Sequence, residues 1–287
     1  MPRTRCDYER TRRVRGRRTS LRQRPSRQWV LLGLTPVMTL AVSCAVPVAQ
    51  PTRESPVTET ELPTATAPPD PGVDPPPLRL LAAGSPPLTP ETRPQNQLVP
   101  WSESMADALN IPRAALQAYG YASTAVAQSA PECGLSWTVL AGIGAVESSH
   151  GRFGGAKLDR TGRPSIPVVG PPLDGSPGVK RIDDTDRGEL DGDQVWDRAV
   201  GPLQFIPQTW REWAVDADGD GAADPNDLDD AALAAAEYLC HVAGDMRIPD
   251  RFWTALLDYN ASREYGQDVL DRADDYGRRS RALPVAR

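Results

Sequence analysis

The stretch GIGAVESSHGRFGG, residues 142–155, closes an apolar run that begins at Ser136. Ser136 is placed to cap the helix SWTVLAGIGAVES, in which Trp137, Leu140, Ile143 or Gly144, and Glu147 recur every three or four residues. That spacing puts Glu147 on or near the inward face, at the C-terminal end. Gly142 and Gly144 remove side chains, so another backbone or a ligand can approach. A carboxyl held against apolar surface has a raised pKa, because desolvation disfavours the anion; the negative end of the helix dipole acts in the same direction. Such a group stays protonated near neutrality and can serve as a general acid. The plain alternative is a Glu that caps the helix end or pairs with an arginine such as Arg152.

Outward from that helix the pattern stays mostly helical. Pro112 precedes RAALQAYGYASTAVAQ, and Pro207 can start PQTWREWA. Asp229 or Asp230 can cap AALAAAEYLCHVA, which Gly244 stops. A helix over Phe252 to Tyr259 and a last one over 262–276 follow. Residues 151–200 are rich in Gly, Pro and Asp, with short β-branched pieces, and read as loops with a small hairpin. The acidic run Asp183 to Asp193 reads as a solvated loop or as a rim of a cleft. Cys133 and Cys240 each sit beside a predicted helix and are expected to form a disulfide, with two buried thiols as the alternative. Closing so long a loop contributes roughly 4 kcal/mol in the chain-entropy model.

The N-terminal third is of another kind. Residues 1–28 hold eleven arginines against Asp7 and Glu9, a local charge of +9 in a chain of net charge −6, so the remaining residues carry −15. An acidic body argues against nucleic acid as a partner, since phosphate binding needs a basic face. The apolar run WVLLGLTPVMTLAVS, residues 29–43, is shorter than the about 20 residues a membrane span needs. A basic region, a short apolar region and small residues at its end read as a secretion signal, and Arg17-Arg18 leaves a twin-arginine route open. Cys44 after Ala41, Val42 and Ser43 resembles a bacterial lipobox; lipidated there, the chain would be held at the outer face of the membrane. Ordinary cleavage nearby is the alternative. Residues 45–99 are rich in Pro and Thr and read as a disordered linker, a stalk through a cell wall. The domain layout is therefore a basic and signal segment at 1–44, a linker at 45–99, a folded domain at 100–276 and a tail at 277–287.

Three ordered motifs carry a resemblance: ESSHGRFGG, then GPLQFIPQTW at 201–210, then ALLDYN at 255–260. Together they resemble the membrane-bound lytic transglycosylase B family. The resemblance implies a mainly α, lysozyme-like domain with a small loop and β-hairpin region. It implies cleavage of the MurNAc-β-1,4-GlcNAc bond in peptidoglycan glycan strands, leaving 1,6-anhydroMurNAc ends without water. Glycoside hydrolysis usually needs two carboxylates; in this family one Glu, matching Glu147, is acid and then base. By the same resemblance four residues make the substrate site: Ser148 hydrogen-bonds near the acid, Gln204 lines the cleft and contacts sugar, and Tyr259 and Asn260 orient the acetamido group or Glu147, while His150 reads as structural. Each has a bland alternative: Ser148 as a helix-end cap, Gln204 as a surface amide, Tyr259 as core. An exported, monomeric enzyme of the cell envelope is expected. A hydrolytic muramidase of the same fold and a non-catalytic wall-binding lipoprotein are the rivals.

One further pattern stands apart. DADGDGAADPND, residues 216–227, follows EF-hand spacing, with Asp216, Asp218 and Asp220 first, Gly221 at the turn, the Ala222 carbonyl next, Asp224 after it, and Asp227 where Glu is usual. It reads as a structural calcium loop, or as an acidic turn held by its own hydrogen bonds. There is no P-loop, zinc-ligand cluster or nucleophile triad, and no cofactor is expected for the chemistry.

Overall fold

The computed structural model describes residues 67–82 and 84–283. The basic tract, the signal segment, Cys44 and the linker up to residue 66 lie outside the described residues, as do residues 284–287.

The domain is mainly α with a small hairpin, as expected. A 3-10 turn at Pro94–Leu98 leads into α1 (Val99–Glu103), α2 (Ala106–Leu109), α3 (Arg113–Ser129) and α4 (Trp137–Ser148). A long loop region follows, and within it β1 (Val169–Pro172) pairs antiparallel with β2 (Arg198–Val200). Then come α5 (Pro207–Trp213), α6 (Leu228–Ala243), α7 (Pro249–Tyr259) and α8 (Arg263–Arg281). Ser136 caps α4 by accepting from the Thr138 N–H, and Pro207 opens α5. The cap of α6 is Asp227, two or three residues earlier than read from sequence; Asp229 and Asp230 fall in the first turn, where carboxylates suit the helix dipole.

The centre of the core is α4, which is apolar on every side and is packed on every side. Trp137, Leu140 and Ile143 are fully buried, with α3 against one flank and α8 against another. Gly142 is where α8 comes closest: a Cβ there would lie 2.6 Å from the Val269 carbonyl oxygen. Helix α6 packs against α3, and its Ala231, Ala232, Ala234, Ala235 and Ala236 are all fully buried, small residues that allow its neighbours a close approach. The Cys133–Cys240 disulfide forms, joining the segment before α4 to the end of α6.

Two boundaries differ from the sequence reading. The domain does not begin near residue 100. Residues 67–82 and 84–99 lie on it as a strap: the Trp137 indole N–H donates to the Val73 carbonyl, the Leu81 N–H to the Tyr121 hydroxyl, and the Leu88 N–H to the Gly219 carbonyl. Arg93, only 2% exposed, pairs with Asp229 and donates to Gln117 Oε1 and the Arg160 carbonyl. Pro-rich composition shows that a segment cannot build a core alone; it does not prevent its few leucines and its arginine from docking on another. The second boundary is the tail. Helix α8 runs on to Arg281 because Ser280 is buried and its hydroxyl accepts from the Val73 N–H of the strap.

Candidate active site

The end of α4 is built by an unusual turn. Ser149 (φ 52°) and His150 (φ 61°) are left-handed, and Gly151 follows them there. Their N–H groups donate to the Ala145 and Gly144 carbonyls and close the helix. Ser148, 1% exposed, donates its hydroxyl to the Pro202 carbonyl at 2.6 Å and accepts from the Gly151 N–H at 2.7 Å. The first motif is thereby strapped to the second. Ser148 was expected at the sugar; both functions of its hydroxyl are instead spent inside the protein.

Glu147 is half-buried in the last turn of α4. Burial pushes its carboxyl up to about 7, while a hydrogen bond from Tyr265 pulls in the opposite direction. The Arg152 pairing is not made: that guanidinium donates to the Ser149 carbonyl and to the Asn110 side chain and carbonyl.

The second motif forms a four-residue turn closed by reciprocal bonds between Val200 and Phe205. Gln204 sits in it with φ 51°, and its amide donates to the Gly201 carbonyl at 2.9 Å and the Val168 carbonyl at 3.4 Å. Its Oε1 lies over Gly170, where a Cβ would come within 2.9 Å. The third motif supplies Tyr259, whose hydroxyl donates to the Leu203 carbonyl at 2.7 Å. Phe205, Tyr238 and Tyr265 surround the Tyr259 ring, the last nearly parallel to it. Burial and then the Glu147 charge push the Tyr259 hydroxyl upward, so the two share one environment. Asn260 is exposed, and its Oδ1 accepts from the Ser262 N–H to start α8. The structure thus brings Glu147, Tyr259 and the Gln204 turn together and leaves Asn260 at the helix start.

Sequence reasoning missed Tyr265. It lies in the first turn of α8, 8% exposed, and its buried hydroxyl has no partner other than the Glu147 carboxyl it faces. The acidic run before β2 also differs from expectation. Asp197 and Asp186 are buried, accepting from Thr185 and from the Gly188 and Leu190 N–H groups. These carboxylates fold the loop rather than solvate it.

In the calcium-type loop the residues divide into two sets. Oxygens of Asp216, Asp218 and Asp230 lie within 4.8 Å of one another, a cluster able to hold a cation. Burial raises the pKa of Asp218, and burial followed by repulsion from Asp227 pushes Asp230 up to about 9, strain that a cation would relieve. Asp220, Asp224 and Asp227, by contrast, surround the Arg163 guanidinium at 3.1, 2.5 and 3.1 Å. Ala222 is exposed, and its N–H donates to Asp220. The set read from spacing is thus divided in the structure: Asp220 and Asp227 pair with Arg163, while oxygens of Asp230 lie beside those of Asp216 and Asp218.

Residues 181–244 match the family described as Transglycosylase SLT domain. That stretch of the chain is similar to a transglycosylase SLT domain. The matched residues take in the acidic loop before β2, the Gln204 turn, α5, the Asp216 loop and α6; Glu147 precedes them. Similar solved structures include the Escherichia coli lytic transglycosylase Slt35 in complex with bulgecin A, at 14% identity over 64% of this chain and 79% of that one, TM-score 0.36. Another is SltB3 from Pseudomonas aeruginosa in complex with NAG-anhNAM-pentapeptide, at 19% identity over 68% of each chain, TM-score 0.32. No curated protein matches.

Proposed function

We propose that the protein is a peptidoglycan lytic transglycosylase in which Glu147 is acid and then base. The observation that carries this reading is a carboxyl raised to about 7 at the end of a buried helix, beside Tyr259 and the Gln204 turn, in a chain similar over residues 181–244 to an SLT domain. Protonated Glu147 gives its proton to the GlcNAc O4 as the C1–O4 bond breaks. The MurNAc acetamido oxygen bonds to C1 and holds the cationic charge. The Glu147 carboxylate then takes the proton of the sugar's own C6 hydroxyl, and O6 displaces the acetamido oxygen at C1. One carboxyl near its own pKa serves both halves, and no second carboxylate is required.

On this reading Gln204 and Tyr259 line the sugar site and Tyr265 orients the carboxyl, supported by the turn and hydrogen bonds that hold them beside Glu147. We also propose that calcium binds at Asp216, Asp218 and Asp230 and stabilises the loop before α6, and that the chain is exported to the cell envelope, where Cys44 takes a lipid. The test is digestion of purified peptidoglycan by the full chain and by Glu147→Gln, with products identified by mass spectrometry. Anhydromuropeptides that vanish in the variant are expected. Reducing ends would mean a hydrolase, and equal wall binding without products a scaffold.

A further inference from the structure

His150 is the buried titratable group that the chemistry above leaves without a task. Its ring is 2% exposed and lies between two helices: Nδ1 is 3.2 Å from the Tyr119 hydroxyl on α3, and Nε2 is 3.1 Å from the Tyr276 hydroxyl on α8. It folds back along α4 into space that Gly144 leaves open. A Cβ at Gly144 would lie 2.0 Å from the Tyr119 hydroxyl and 3.4 Å from His150 Nδ1. The backbone it holds is costly, since Ser149 and His150 are both left-handed and neither is glycine. Each such residue costs roughly 1–2 kcal/mol, so the turn persists only where contacts over-determine it.

We propose that His150 is a positioning residue for Glu147: a neutral clasp, made by Tyr119 and Tyr276, that holds the left-handed exit of α4 and so the direction of the carboxyl three residues before it. This rests on the reading of Glu147 as the acid. Neutrality is the reason for an imidazole. A neutral ring is one donor and one acceptor, so one tyrosine donates to it and the other accepts. Lysine or arginine could hold the same turn, but a fixed cation beside Glu147 would favour its carboxylate and spoil the acid. Burial, with the charges of Arg152 and Arg272, holds the imidazole down to about 3, so it carries no charge at working pH. The groups facing Glu147 are Tyr259 from α7 and Tyr265 from α8, both neutral as well. Helix α8 carries Tyr265 and Tyr276 on one side, eleven residues apart, so the clasp also sets α8 against the end of α4.

The test uses the full-length chain with His150→Phe, His150→Gln and Tyr276→Phe. Two quantities are read: the titration of Glu147 by carbon NMR of Glu-labelled protein, assigned with Glu147→Gln, and kcat and KM on soluble glycan fragments across pH. In His150→Phe the freed turn admits water, so the Glu147 titration and the basic limb of the rate profile move to lower pH. A misdirected acid lowers kcat by about tenfold to a hundredfold with KM little changed. His150→Gln, which keeps a donor and an acceptor, recovers much of both. If His150→Phe does not fold, Tyr276→Phe, which removes one bond and keeps the ring, decides. A folded variant with Glu147 titrating as in wild type overturns the proposal, as does a loss confined to melting temperature. Wild-type protein that makes no anhydromuropeptides would sink the transglycosylase reading instead, and the titration alone would still decide the clasp.

Discussion

The Ser148 hydroxyl donates to the Pro202 carbonyl 54 residues away, at 2.6 Å, and through that bond the acid-bearing helix is tied to the turn that carries Gln204. Removing it leaves a buried carbonyl and the Gly151 N–H unpaired. Unpaired buried groups cost about 1–3 kcal/mol. Ser148→Ala is therefore expected to melt several degrees lower and to lose kcat while KM holds. Wild-type melting and rate together would show that the bond carries neither load.

Glu147→Gln is expected to abolish activity and to stabilise the protein. The folded pKa, about 7, lies above the ordinary value of 4.5, so the folded state binds more protons between them. Stability then falls as pH rises from about 4.5 to 7 and stays lowered above it, by on the order of 2 kcal/mol with one edge of the group open to solvent. An amide carries no such penalty. Melting curves of the two proteins should coincide at pH 4 and separate at pH 8, with the variant higher. Equal separation at both would mean that desolvation of the acid is not the cause. The same pKa predicts that the rate falls above about pH 7, as the acid deprotonates.

The Pro-rich strap makes its own prediction. A chain beginning at residue 98 lacks Arg93 and leaves Asp229, fully buried, without its cation. Breaking a buried pair from one side costs about 3–5 kcal/mol. Urea unfolding should place the midpoint of the 98–287 protein far below that of 67–287, with Arg93→Met reproducing most of the difference. Matching midpoints would return the strap to the linker.

The helices and the half-buried carboxyl of Glu147 were legible because each is a local pattern. Trp137, Leu140, Ile143 and Glu147 share one spacing, which puts the carboxyl on or near the inward face of the helix. What escaped depended on partners far along the chain. Ser148 looked like a sugar contact because Pro202 is not its neighbour in sequence. Tyr265 was hidden because, with Val269, it reads as one more pair of core residues in a helix. The strap was hidden by composition, which describes what residues 67–99 can bury by themselves and not what Tyr121, Gln117 and Asp229 offer them.

The acidic loop shows the same dependence and yields the last prediction. Counting along the EF-hand template selects Asp227, but Arg163, more than fifty residues earlier, pairs with Asp220, Asp224 and Asp227, and it is the Asp230 carboxylate that lies beside Asp216 and Asp218. With Asp230 pushed by burial up to about 9, a divalent ion must displace its proton, so the ion's apparent affinity should rise with pH. Saturating calcium should raise the melting temperature of the wild type, since a ligand of the native state stabilises by RT ln(1 + [L]/Kd). Asp230→Asn should abolish that rise. Asp227→Asn should leave it in place while lowering the melting temperature in both conditions, because the residue caps α6 and pairs with Arg163. Arg163→Gln should widen the difference between calcium and chelator, as three carboxylates lose their built-in cation and the loop comes to rely on the metal. Calcium-dependent melting lost in Asp227→Asn and retained in Asp230→Asn would reverse the assignment and restore the ligand set of the linear template.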